Sequence, residues 1–97
     1  MVVVLVDGEN VRRSRWPNVS RAELEELVAF WARREGHEAH VVWEGKETAD
    51  DAIAREAALF RDAGRSVWVA TSDRELRRRA AAERTIGGRS FLEELGA

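Results

Sequence analysis

The chain is predicted to fold as an α/β domain around a mainly parallel sheet of about four strands. Three observations carry this expectation: apolar strand-like runs alternate with helical stretches, most of the helices open on a capping pattern, and no linker interrupts the series. Val2 to Val6 is apolar and largely β-branched without alternation, as a central strand covered on both faces requires. Ser20 with Glu23 forms a capping box, and Leu24, Leu27, Val28 and Trp31 follow at helical spacing until Gly36, which predicts a helix over about 20–35. Ala39 to Trp43 reads as a second strand. Thr48 with Asp51 is a weaker capping pattern, since Asp replaces the usual Glu, and opens a helix over roughly 49–63 with Ile53, Ala57 and Phe60 inward and Gly64 at its end. Ser66 to Ala70 is again apolar on both faces and forms the third strand. Ser72 with Glu75 predicts the next helix start, Thr85-Ile86 a short fourth strand, and Ser90 with Glu93 a terminal helix. Strands joined through helices are parallel, because each right-handed crossover packs its helix back across the sheet.

Ninety-seven residues without a Pro/Gly/Ser linker, repeat or low-complexity tract make one domain, residues 1–97. The first apolar run is five residues, far short of the roughly 18 to 20 a membrane span needs, and it ends in Asp7; it is neither anchor nor signal peptide, and no membrane partner is expected. The absence of cysteine excludes disulfides, thiolate zinc sites and a cysteine nucleophile and makes a cytoplasmic address the default. A formal charge of -2 argues against coating nucleic acid through the net field, so a polyanion would have to be met locally. Residues 74–89, with six arginines against two glutamates, are the basic segment available for that.

The acidic residues are placed more tellingly. In parallel α/β sheets ligands gather beyond the carboxyl ends of the strands. The first strand runs into Asp7-Gly8-Glu9-Asn10, the second into Glu44 and then Glu47-Thr48-Ala49-Asp50-Asp51, and the third into Thr71-Ser72-Asp73. Parallel strands would therefore bring Asp7, Asp50 or Asp51, and Asp73 to one end of the sheet. Taken singly, each acid also suits a turn or a helix start. Together, carboxylates within about 4 to 6 Å repel one another unless a cation compensates, and their hard oxygens suit Mg²⁺ or Mn²⁺. Such ions support phosphodiester hydrolysis with no protein nucleophile. Asp51, three residues after Thr48, is the acid more easily used in capping, which makes Asp50 the preferred ligand of the pair.

Val6-Asp7-Gly8-Glu9-Asn10-Val11, Glu47-Thr48-Ala49-Asp50-Asp51-Ala52-Ile53 and Ala70-Thr71-Ser72-Asp73-Arg74-Glu75-Leu76 resemble, in order and across nearly the whole chain, the three signature blocks of NYN domains, particularly the YacP-like branch. The resemblance implies a small three-layer, Rossmann-like fold of the PIN/NYN type. It also implies a metal-dependent endoribonuclease whose acidic cluster uses Asp7, Asp50 and/or Asp51, and Asp73, with Asn10 and Ser72 in support; with the capping preference for Asp50, the expected metal ligands are Asp7, Asp50 and Asp73. The chain departs from that branch in being short: Gly36 to Gly45 runs almost straight into the Thr-Ala-Asp-Asp block, as though an edge strand were deleted. An uncovered edge would suit pairing with a second copy, so a homodimer is an expectation. Where members often end the second strand in Phe-Asp, this chain has Trp43-Glu44, which makes Glu44 a supporting acid or a solvated loop residue.

Arg74, Arg77 and Arg78 follow Asp73, Arg12, Arg13 and Arg15 follow the first acidic block, and Lys46 precedes the Asp pair; of these Arg12, Arg13, Lys46, Arg74, Arg77 and Arg78 are the candidates for RNA phosphates, against the plainer reading of solvated faces. Trp16, beside Pro17, suits either stacking on an unpaired base or anchoring its loop. Trp31, Trp43 and Trp68 lie in apolar segments and should pack. His37 and His40, three apart on a strand, point to opposite faces and cannot share a metal, so both are expected at the surface. Ser72 has no histidine base, which argues against a serine hydrolase. The leading expectation is thus a Mg²⁺- or Mn²⁺-dependent endoribonuclease acting on single-stranded RNA, which a larger ribonucleoprotein could present. The rivals are an inactive RNA- or protein-binding module of the same fold and a receiver-like signalling domain; the latter lacks its late lysine, Lys46 being the only lysine.

Overall fold

The computed structural model describes all 97 residues. Strand β1 (Val3–Asp7) is buried along its whole length, which is what its unbroken apolar run requires. It pairs in parallel with β2 (Glu38–Val42), from Val3 opposite Glu38 to Asp7 opposite Val42, and on its other side with β3 (Val67–Ala70), from Val3 opposite Val67 to Val6 opposite Ala70. The short β4 (Arg84–Ile86) adds to β3, giving an all-parallel sheet of order β2-β1-β3-β4.

Helices cover both faces, giving a three-layer, Rossmann-like arrangement. On one face α2 (Arg21–Glu35) and α5 (Gly88–Leu95), with the short α1 (Gly8–Arg12), bury Leu24, Val28, Trp31, Phe91 and Leu92 against Val4 and Val6. On the other, α3 (Ala49–Asp62) and α4 (Arg74–Ala80) bury Ile53, Ala57, Leu76 and Ala80 against Val3, Leu5, Val67 and Val69. The two-residue alternation of β1 and β3 divides their side chains between these layers. The chain leaves β1 toward β2 and then returns across it to β3, so the strand order reverses between β1 and β3. A crevice opens at such a switch point, beyond the carboxyl ends of the strands. No helix is long and apolar enough to cross a membrane.

Several elements differ from the sequence expectation, each for a local reason. The turn after Asp7 winds into α1, five residues not foreseen. Strand β2 spans Glu38–Val42 rather than Ala39 to Trp43, because β1 ends at Asp7, opposite Val42, and leaves Trp43 no ladder partner. Trp43 instead packs over Gly8, where a Cβ would lie 2.5 Å from its ring, and its indole N–H donates to Glu25 Oε1 at 2.6 Å. Helix α4 is capped by Asp73, whose Oδ1 accepts the Leu76 amide at 3.1 Å, and not by Ser72. Helix α5 begins at Gly88 behind a Gly87 cap, so Ser90 lies inside its first turn rather than at its start. His37 is not a surface residue: its ring is half-buried, with centroids 5.2 Å from Trp31 and 4.9 Å from Trp68. His40 is exposed, as expected, with Nε2 2.7 Å from Glu38 Oε2.

Candidate functional site

A cleft of about 720 Å³ lies at the switch point, lined by Asp7, Glu44, Asp50 and Asp73 together with Asn10, Ser72, Arg13 and Arg89. These four acids come from three strand-to-helix junctions, the β2–α3 connection supplying two of them, and Glu9 of α1 also lines the cleft. Asp7 is the last residue of β1, Glu44 follows β2, Asp50 lies in the first turn of α3, and Asp73 caps α4 after β3.

Asp7 is almost fully buried, at 6% exposure. Its Oδ2 accepts the Thr71 hydroxyl at 2.8 Å, and the Thr71 oxygen in turn accepts the Asp73 amide at 3.2 Å. Asn10 Oδ1 accepts the Ser72 amide at 2.8 Å, and Ser72 Oγ accepts the Gly88 amide at 2.8 Å. These contacts join β1, the loop after β3 and the start of α5 into one frame around the cleft. The packing is tight at Gly88, where a Cβ would lie 3.0 Å from Ser14, whose side chain would have to give by a few tenths of an ångström. Asn10 and Ser72 therefore hold backbone rather than project as free ligands.

Burial raises the Asp7 carboxyl above its usual range; the Thr71 hydrogen bond opposes this, and the charges of Asp50, Asp73 and Glu44 reinforce it. Asp50 is also raised, first by burial and then by Asp73, with Arg79 opposing and Asp51 and Glu44 adding repulsion. Asp51 behaves differently. It is exposed, lies outside the cleft lining, and pairs at 2.9 Å with Arg79, which lowers its pKa through the hydrogen bond. Its amide, not its carboxylate, meets the Thr48 cap, at 3.1 Å. The adjacent residues of the Thr-Ala-Asp-Asp block thus separate: Asp50 faces the cleft and Asp51 the α4 arginine.

Asp7, Asp50 and Asp73 offer the hard oxygens that suit Mg²⁺ or Mn²⁺, and their mutual repulsion is the electrostatic environment a cation relieves. As placed, no three carboxylates or imidazoles are close enough to hold one ion together. One oxygen of Asp7 and one of Asp73 are engaged with Thr71 and the α4 amide, leaving the other of each for a ligand.

The expected phosphate-binding residues are dispersed. Arg13 lines the cleft. Arg12 is held by Glu9 at 2.7 Å, Arg77 donates to Thr85 at 2.8 Å, and Arg78 pairs with Glu75. Arg74 and Lys46 are exposed and outside the lining. Arg89 lines the cleft although the sequence reading did not single it out. Its position depends on β4 lying beside β3, which brings the start of α5 to the loop after β3; no local pattern signals that.

No family model and no curated protein matches the chain. Among solved structures, a point mutant of Rae1 (YacP) from Bacillus subtilis superimposes with a TM-score of 0.81 and 24% identity, over 99% of this chain and 76% of that one. The chain has the YacP-like NYN fold. That likeness covers β1 to α5 and so includes every junction that delivers an acid to the cleft. About a quarter of the Rae1 chain has no counterpart here.

Proposed function

We propose that this protein is a Mg²⁺- or Mn²⁺-dependent endoribonuclease whose acidic cleft hydrolyses phosphodiester bonds in single-stranded RNA. The observation that carries this reading is the meeting of Asp7, Asp50 and Asp73 in one cleft, with Asp7 and Asp50 raised in pKa first by burial and then by neighbouring carboxylates, Asp73 among them. The likeness to Rae1 (YacP) and the three NYN-like sequence blocks supply the nuclease context.

On this reading Asp7, Asp50 and Asp73 would hold the cation by drawing closer than they now stand, and Glu44 would add negative charge beside them. The bound cation would provide a Lewis acid and lower the pKa of the attacking water. Thr71 keeps Asp7 oriented, Asn10 fixes the loop that carries Asp73, and Ser72 positions the start of α5. Fixing the donors in advance is what such a site requires, since outer partners of metal ligands commonly matter 10- to 100-fold.

The test is cleavage of an end-labelled, partly single-stranded RNA with Mn²⁺, Mg²⁺ or EDTA, beside Asp7→Asn and Asp73→Asn. Asn can still accept the Thr71 hydroxyl at position 7 and still cap α4 at position 73, so both variants should fold. Cleavage is expected with either ion, absent in EDTA, and reduced about 100-fold or more in each variant. Carboxylate-dependent cation binding with no cleavage would instead identify a binding module, and cleavage equal in wild type and both variants would refute the acidic site.

A further inference from the structure

Three of the four tryptophans are packed: Trp31 edge-on to Phe91 at 5.1 Å, Trp43 over Gly8, and Trp68 against His37 with the Arg84 guanidinium 4.6 Å from its ring. Trp16 is 85% exposed. It sits in the loop joining α1 to α2, which is tied at both ends: Ser14 Oγ donates to the Val11 carbonyl at 2.6 Å, and the Val19 amide donates to the Arg12 carbonyl at 3.2 Å. Arg13 and Ser14 of this loop form part of the cleft wall. Two residues of chain span at most about 7 Å, so the Trp16 backbone lies within that distance of Ser14 in the cleft wall.

The surroundings are cationic. Residues 11–18 contain three arginines and no acid. Glu9 is taken by Arg12 at 2.7 Å and Arg21 at 2.8 Å, which leaves Arg13 to face the cleft. Arg89 also faces it, with Glu93 no nearer than 3.9 Å. The cleft therefore pairs its carboxylates with two arginines in its lining, and an uncovered indole follows one of them by three residues along the chain. A polyanionic strand can set backbone phosphates against the arginines while a base covers the indole. A paired base has both faces covered by its neighbours, whereas an unpaired one is free to stack.

Resting on the function proposed above, we propose that Trp16 is a stacking platform for an unpaired nucleobase and that Arg13 and Arg89 bind the phosphates flanking it. This rim makes the cleft selective for single-stranded RNA. Selectivity then lies in the α1–α2 loop and the start of α5, apart from the carboxylates that carry the chemistry.

The test is fluorescence anisotropy with a fluorescein-labelled single-stranded 12-mer RNA and with a hairpin whose stem has the same sequence. Binding is measured in EDTA on the Asp7→Asn, Asp73→Asn protein, which removes cleavage and two repelling charges. Adding Trp16→Ala should weaken strand binding about five-fold or more, leave stem binding and the salt dependence unchanged, and be largely rescued by Trp16→Phe. Adding Arg13→Gln or Arg89→Gln should each reduce the slope of log K against log salt by about 0.7. Unchanged strand affinity in Trp16→Ala, equal losses for strand and stem, unchanged slopes, or no RNA binding at all would overturn the rim. Wild-type protein that cuts RNA while these variants bind normally would sink the inference and keep the nuclease. Trp16-dependent strand binding by a protein that never cuts would keep the rim and sink the nuclease.

Discussion

The Thr71 hydroxyl donates to Asp7 Oδ2 across 2.8 Å, and with that one contact the carboxyl ends of the two central strands are fastened together under the cleft. Both residues are buried, Thr71 completely. Thr71→Val keeps the shape, removes the donor and leaves the Asp7 carboxylate without its partner. The variant should lose about 1 to 3 kcal/mol of stability in urea denaturation, and Thr71→Ser should recover most of it. Equal stability of the Val variant and wild type would show that the contact does not hold the strand ends.

The raised carboxyls make a prediction about pH. An acid whose pKa is higher in the folded than in the unfolded chain binds more protons when folded. Its stabilising contribution is complete below the unfolded value and lost as pH rises through the folded one. Asp7 and Asp50, raised from 3.8 first by burial, both act in this sense. Asp7→Asn should therefore have a higher Tm than wild type at neutral pH, with the difference shrinking as pH falls toward 3.8. Glu9, Glu38 and Asp51, all lowered by partners, lose stability in acid in both proteins and drop out of the comparison. A Tm difference that does not vary with pH would contradict the assignment.

Asp50 and Asp51 are neighbours in sequence with different surroundings, the first in the cleft and the second on Arg79. Asp50→Asn is expected to reduce metal-dependent cleavage about 100-fold or more, whereas Asp51→Asn should stay within a few-fold of wild type. Single-turnover cleavage of one labelled RNA by both proteins decides it. The reverse ranking would mean that α3 presents the other carboxylate to the substrate.

Gly8 lies so close under Trp43 that any side chain must displace the indole, since a Cβ at 8 would sit 2.5 Å from two ring atoms. Gly8→Ala should cost about 1 to 3 kcal/mol by overpacking. Because Glu44 follows Trp43 directly, the shift should also disturb cleavage. Calorimetry and the cleavage assay on the same sample would reveal the two effects, and an unchanged Tm would show that Trp43 can move aside freely.

What could be read from the amino acids alone was local. The unbroken apolar run of β1, the helical spacing of Leu24, Val28 and Trp31, and the Ser20 and Thr48 caps act over a few residues, and each is found in the structure. Parallel strands followed from their alternation with helices, and with them came the meeting of Asp7, Asp50 and Asp73. Tertiary structure decided what competing local patterns left open. Ser72 and Asp73 both stand at capping distance from a helix start; Asp73 takes α4 because Ser72 is held by the Gly88 amide, sixteen residues further on. Asp51 turns from the cleft because Arg79, on a different helix, lies beside it. His37 is drawn inward by Trp31 and Trp68, which come from two other elements. Arg89 reaches the cleft because β4 adds next to β3 and carries the start of α5 to the loop that holds Asp73. Periodicity and capping are energies between near neighbours along the chain, whereas these four outcomes depend on groups from separate elements meeting in space, which the packing of helices on the sheet alone determines.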